Sequence, residues 1–208
     1  ADREQGGQGA PLIPIVDQYL LQQDNSDVLA LNIGGIANLT IVPGQHNSAP
    51  LLAWDTGPGN TLIDKAVRLF SHDILNYDEG GDLAAQGKIN HKLLDELLKH
   101  EFYQRTPPRS AGQEQFGKTY FQHILKQFNP RNDQEFKDLI HTLTVLTAKT
   151  ITGSIHTLST DYSPTAMFVG GGGAFNKMLM NLLRAELPSI DIVEMDQSGV
   201  NQSNKEAF

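Results

Sequence analysis

The 208-residue chain contains no cysteine. It therefore has no disulfide framework, no thiolate nucleophile and no metal site built on sulfur. That is compatible with a reducing cytoplasm, the expected location. Basic residues are scarce, 16 Lys and Arg against 24 Asp and Glu, for a net charge of −8. Non-specific binding to nucleic acid or an anionic membrane needs basic patches, so neither partner is expected. A phosphorylated ligand stays open, because backbone N–H groups and helix N-termini bind phosphate without Lys or Arg. No run approaches the ~20 apolar residues of a membrane span. The polar start "ADREQGGQGAPL" has no apolar signal-peptide centre. It also has no initiator Met, and "NQSNKEAF" stops where an apolar run begins, so both ends are expected to be cut. The seven histidines show no metal spacing.

What is present is ordinary for a globular protein, 39% apolar and 19% charged. At this length the chain has room for a sizeable core, as one large domain or two small ones. Residues 11–23 read as loop with a short extended or helical piece. "DVLALNIGG" reads as a buried strand that returns through a tight turn at Gly34 and Gly35 into an antiparallel "IANLTIVP". "LLAWD" is a third strand. From Asn60, a plausible N-cap, the period becomes helical, with Leu62, Ile63, Ala66, Leu69 and Phe70 on one face. "YDEGGDLAAQGKIN" is a polar loop with short helical content. Leu93, Leu94, Leu97 and Leu98 mark a helix, and "RTPPRSAGQEQFG" is a breaker-rich connection. Helices follow over Lys118 to Phe128 and Asp133 to Leu158. A strand, a glycine turn, the helix "KMLMNLLRAEL" and the strand "IDIVEMD" complete an α/β order.

Three glycine turns interrupt this order. "NIGGIAN" fits a simple hairpin. "DTGPGN" fits a sharp reversal before a helix. It equally fits a carboxylate, Asp55, at a strand end facing a glycine turn and a helix N-terminus, where phosphoryl chemistry is sited. "GGGGAFN" has more glycines than a strand-to-helix turn needs, and glycine costs conformational entropy. The excess points to a ligand lying against the backbone. No standard nucleotide fingerprint fits. "GPGNTL" lacks the third glycine of G-x-G-x-x-G. "GGDLAAQGKI" has five residues between Gly81 and Gly87 where a Walker A needs four, and Ile89 where Ser or Thr must hold magnesium.

Together the turns resemble the actin-like ATPase and sugar-kinase superfamily. "NIGGIANLT" is similar to its second phosphate hairpin and "FVGGGGAFN" to its adenosine loop. "GGQGAPL", "NIGGIANLT", "WDTGPGN", "AAQGK", "PPRSAGQE", "GGGGAFN" and the terminal "EAF" occur in the order and approximate spacing of the anhydro-N-acetylmuramic acid kinase family. The resemblance covers essentially the whole chain. It implies a ribonuclease H-like actin/sugar-kinase fold, mostly the C-terminal lobe, with residues 1–26 a remnant of the N-terminal lobe and 27–208 a truncated nucleotide- and sugar-binding lobe. It implies ATP and Mg2+ as cofactors, an amino-sugar substrate and a homodimer at full length. The implied reaction opens 1,6-anhydro-N-acetylmuramic acid with water and phosphorylates its 6-oxygen, in cell-wall recycling.

Asp55 matches the family's catalytic base and Glu206 a sugar-contacting glutamate. Gly34, Gly35 and Asn38 match the phosphate hairpin. Gly170, Gly171, Gly172, Gly173 and Asn176 match the nucleotide loop, and Gly57, Gly59 and Asn60 are expected at the same phosphate and nucleotide site. Gln8 either faces the sugar or marks a turn. Ser110 and Glu114 are either structural or line the cleft. No metal ligand is assigned. The family's first phosphate hairpin and its helical tail are absent, so the chain alone is expected to be inactive. A non-catalytic nucleotide-binding module is the alternative. Another sugar or acyl phosphotransferase of the superfamily is a third reading, which "DTGPGN" and "PPRSAGQE" oppose.

Overall fold

The computed structural model describes residues 26–195. Three antiparallel strands come first: β1 (Asp27–Ile33), β2 (Ile36–Val42) and β3 (Leu52–Pro58). A helical stretch follows: α1 (Thr61–Phe70), α2 (Asp82–Ala85), α3 (His91–Leu97), α4 (Gln113–Phe116), α5 (Lys118–Gln127) and α6 (Asp133–His156). The chain then returns through β4 (Pro164–Gly170), α7 (Lys177–Glu186) and β5 (Asp191–Glu194). The sheet order is β3-β2-β1-β4-β5, with β4 parallel to β1 and to β5. An antiparallel meander extended by parallel strands is the α/β arrangement expected of the ribonuclease H-like actin/sugar-kinase fold.

Successive side chains of each strand point to opposite faces of the sheet. Leu29, Leu31 and Ile33 of β1, Leu39 and Ile41 of β2 and Trp54 of β3 face one side, where α6 and α7 cover them with Ala148, Ile151, Ile155, Leu179 and Leu183. Each fully buried Leu or Ile contributes about 1.5–3 kcal/mol to holding the helices there. A second cluster packs Leu62, Leu94, Ile124, Leu139, Ile140 and Leu143 from α1, α3, α5 and α6. α6 thus belongs to both clusters, which is why its buried positions run almost all round it. Its start is well specified: Asn132 accepts the Glu135 N–H at 3.0 Å, and Asp133 and Glu135 lie in the first turn.

Two expectations change. β3 does not stop at Asp55 but continues to Pro58, because a bulge pairs Ala37 with Gly57 and Asn38 with Asp55 and so carries the ladder past the carboxylate. Leu69 is 43% exposed in the last turn of α1, and the buried stripe is Leu62, Ile63, Ala66 and Val67. The expected segment at 11–23 lies outside the described residues.

Candidate active site

The face of the sheet opposite α6 carries a polar row at one end. The register places Gly170 beside Asn32, Asn32 beside Asn38, and Asn38 beside Asp55, across β4, β1, β2 and β3. Asn32 is exposed in a strand whose other residues are all buried. Asn38 Nδ2 donates to Asp55 Oδ1 at 3.0 Å, and the Ala111 N–H donates to Asp55 Oδ2 at 2.7 Å. Among the described residues each carboxylate oxygen therefore has one protein donor, and an ionised carboxylate offers about four acceptor sites. Capacity remains for a water or a hydroxyl. Asp55 is half-buried, so it is reachable.

The first two glycine turns meet each other. The Gly59 N–H donates to the Gly35 carbonyl at 2.9 Å and the Asn60 N–H to the Gly34 carbonyl at 2.8 Å. A Cβ on Gly59 would collide with the Gly34 carbonyl oxygen, so glycine is demanded by the approach of the two turns. The Gly59 and Asn60 amides are thereby committed within the fold, and these residues shape the site more than they donate to it. Asn60 occupies the N-cap position of α1, but its side chain makes no capping bond; Nδ2 donates to the Ile33 carbonyl at 3.2 Å instead. Gly57 lies under Tyr103 and Thr150, where a Cβ would come within 3.0 Å of the tyrosine ring. Thr147 Oγ1 reaches the Pro58 and Gly59 carbonyls at 3.0 and 2.8 Å and ties this end of β3 to α6.

The third turn closes on the same place. Gly171 has φ +82°, and a Cβ there would stand 2.6 Å from Asn32 Oδ1. A Cβ on Gly173 would collide with Ile33 Cγ2. The excess of glycines thus owes much to the loop's packing on β1, and Gly172 is the one that lines an adjoining pocket of about 550 Å³. Asn60, Asp64, Tyr77, Phe175 and Asn176 also line it. Asn176 accepts the Leu179 N–H at 3.0 Å and caps α7. Burial raises the Asp64 carboxyl to about 6, against the opposing charges of Arg68 and Lys65. Burial also raises the Asp78 carboxyl, although that group accepts the Leu83 and Ala84 N–H bonds that start α2.

"AAQGK" has a structural task. A Cβ on Gly87 would collide with the Lys137 carbonyl, and Lys88 N–H donates to Asp138 Oδ1 at 2.8 Å, so the stretch docks on α6. Ser110 is exposed between Arg109 and Ala111, both hydrogen-bonded to Asp55, and Glu114 is exposed in α4. Gln8 and Glu206 lie outside the described residues. Asn32, Asp64, Tyr77, Phe175, Arg109 and Ala111 were not anticipated as site residues; Asn32 carried a signal as the polar residue inside the apolar run 28–33, and Arg109 and Ala111 fell within "PPRSAGQE".

The sequence profile of the anhydro-N-acetylmuramic acid kinase family matches residues 1–208. The chain belongs to that family. The anhydro-N-acetylmuramic acid kinase of Caldanaerobacter subterraneus subsp. tengcongensis is 38% identical over 203 residues, 97% of this chain and 51% of the relative. That of Synechococcus elongatus is 39% identical over 213 residues, covering 100% and 55%. That of Clostridioides difficile is 37% identical over 206 residues, covering 98% and 52%. The chain spans about half the length of these anhydro-N-acetylmuramic acid kinases. A solved activator of 2-hydroxyisocaproyl-CoA dehydratase from Clostridium difficile, with bound ADPNP, aligns with 86% of this chain and 57% of its own at 11% identity and a TM-score of 0.47.

Proposed function

We propose that this chain carries the base and much of the nucleotide site of an ATP-dependent kinase that hydrolyses and phosphorylates 1,6-anhydro-N-acetylmuramic acid. The observation that carries the reading is the Asp55 carboxylate, held by Asn38 and Ala111 with acceptor capacity left over, beside the glycine loop and its pocket. On this reading Asp55 takes a proton from a water within hydrogen-bond reach. The water oxygen bonds to the anomeric carbon, the bond from that carbon to the 6-oxygen breaks, and the 6-oxygen bonds to the γ-phosphorus as ADP leaves. N-acetylmuramic acid 6-phosphate, ADP and a proton result.

The pocket volume suits a nucleoside, for which ~300–1,000 Å³ is usual. Tyr77 and Phe175, 60% and 57% exposed, offer apolar faces to the base. Gly34, Gly35, Gly57, Gly59 and Gly170 to Gly173 shape the phosphate end, where positioning matters more than covalent chemistry, while the Asn38 side chain holds Asp55. Magnesium would supply charge neutralisation at the phosphates. No group of three His, Asp or Glu among the described residues is placed to cage an ion. Residues 27–208 are proposed as the truncated C-terminal lobe, and Glu206 as a sugar-contacting residue. The full-length protein is proposed to be cytoplasmic and homodimeric, and the 208-residue chain inactive alone.

The test is turnover of the full-length protein with Mg-ATP in H2(18)O. One 18O at the anomeric carbon and one ADP per anhydro sugar consumed support the proposal. Unlabelled product, or phosphorylation of the ring-opened sugar in preference to the anhydro form, rejects it. Nucleotide binding with no turnover would favour the non-catalytic module. Turnover by the 208-residue chain would refute its inactivity.

A further inference from the structure

Arg109 is 9% exposed and, among the described residues, its guanidinium hydrogen-bonds to no carboxylate. Its Nη1 donates to the Phe102, Tyr103 and Arg105 carbonyls at 3.3, 3.1 and 2.8 Å, and its Nη2 to Ser154 Oγ of α6 at 2.9 Å. The guanidinium lies 4.9 Å from the centre of the Phe102 ring. A buried cation satisfied only by neutral acceptors is a costly way to close a loop. What it provides is direction, because the planar fork fixes several acceptors at once. Burial pulls its pKa below the ordinary value, with the Tyr103 and Asp55 charges opposing.

The other end of the same residue grips β3. Asp55 N–H donates to the Arg109 carbonyl at 2.9 Å, and Arg109 Nε donates back to the Asp55 carbonyl at 3.2 Å. Among the described residues β3 is the edge strand of the sheet, so this reciprocal pair occupies Asp55's outward main-chain groups where no described strand pairs with them. Two residues on, Ala111 donates directly to the Asp55 carboxylate at 2.7 Å. We infer that Arg109 is a positioning residue for Asp55: it anchors the 109–111 segment to α6 and to the Glu101–Gln104 turn, and so aims the carboxylate. This rests on Asp55 acting as the base.

The test is a double-mutant cycle in the full-length protein, with Arg109→Lys, Asp55→Asn and both together. Arg109→Lys keeps the charge but loses the fork. It should lower kcat by about 10–100-fold with the KM for ATP within about twofold, since only the aim of the base is disturbed. In the Asp55→Asn background it should cost nothing more. Ser154→Ala, a smaller change in a helix, should lower kcat by about 3–10-fold and be equally silent behind Asp55→Asn; it decides the matter if Arg109→Lys does not fold. An unchanged kcat in Arg109→Lys or Ser154→Ala, or losses that multiply with that of Asp55→Asn, overturn the positioning role alone. An active Asp55→Asn protein overturns the base reading and the positioning role with it.

Discussion

Asn38 and Asp55 face each other across the β2–β3 ladder, joined at 3.0 Å from Nδ2 to Oδ1. The bulge beside them lets one strand hold Asp55 in mid-ladder and still bring Gly57 and Gly59 to the first glycine turn. A carboxylate fixed from a neighbouring strand and from the 109–111 segment loses little further freedom when a substrate arrives.

Removing one of the two donors should be felt in rate. Asn38→Ala leaves Asp55 Oδ1 without its protein partner. A hydrogen bond to a charged group contributes about 1.5–3 kcal/mol, so kcat of the full-length protein should fall by about 10–100-fold. ATP affinity, measured by calorimetry, should change far less. A fall in both by the same factor would assign Asn38 to nucleotide binding.

Two carboxylates should give opposite pH dependences. Asp27 is buried; burial alone would raise its pKa, but bonds from Ser163, Gly44 and Asn47 outweigh it and hold the group below its ordinary value of 3.8. Its stabilisation is present above that pH and is lost as pH falls through the lower folded value. Asp64 is held up at about 6, so its neutral form favours folding below 3.8 and that advantage is lost as pH rises to 6. Asp27→Asn should therefore be less stable than the parent at pH 7 and converge with it in acid. Asp64→Asn should be more stable at pH 7, by about 1 kcal/mol after discounting for partial exposure, and converge near pH 4. Thermal unfolding from about pH 2 to 8 reads both signs, Asp64 between about pH 4 and 6 and Asp27 below about pH 4.

Two glycines in contact with or within α6 should respond in opposite directions. A Cβ on Gly87 meets the Lys137 backbone, so Gly87→Ala should destabilise by about 1–3 kcal/mol. A Cβ on Gly153 meets nothing within 4 Å, so Gly153→Ala should stabilise by about 0.5–1 kcal/mol through helix propensity. Denaturant midpoints of the two variants measure this directly, and a loss of stability in Gly153→Ala would contradict it.

The strands and long helices were legible because alternation and helical period are local properties of sequence. The three glycine turns were legible as turns, and Asp55 as their neighbour. Why each glycine is there was not. Gly59 and Gly173 are fixed by contacts with Gly34 and Ile33, partners far away in the chain. Asn60 was legible as a helix start, but its side chain is drawn to the Ile33 carbonyl, a tertiary contact that outweighs local capping. Arg109 looked like one residue of a breaker-rich connection, since its meaning depends on Asp55 and Ser154, 54 and 45 positions away. Asp64 and Phe175 read as helix and turn residues until the fold brought them to one pocket.

The most direct measurement is kinase turnover of the full-length protein and its Asp55→Asn form on the anhydro sugar, alongside ATP affinity for both. An asparagine, nearly isosteric with aspartate but unable to act as a base, should cost about 10²–10⁴-fold in kcat while ATP binds as before. Asp55→Asn turnover within a few-fold of the parent, with the same product, would contradict the assignment of Asp55 as the base.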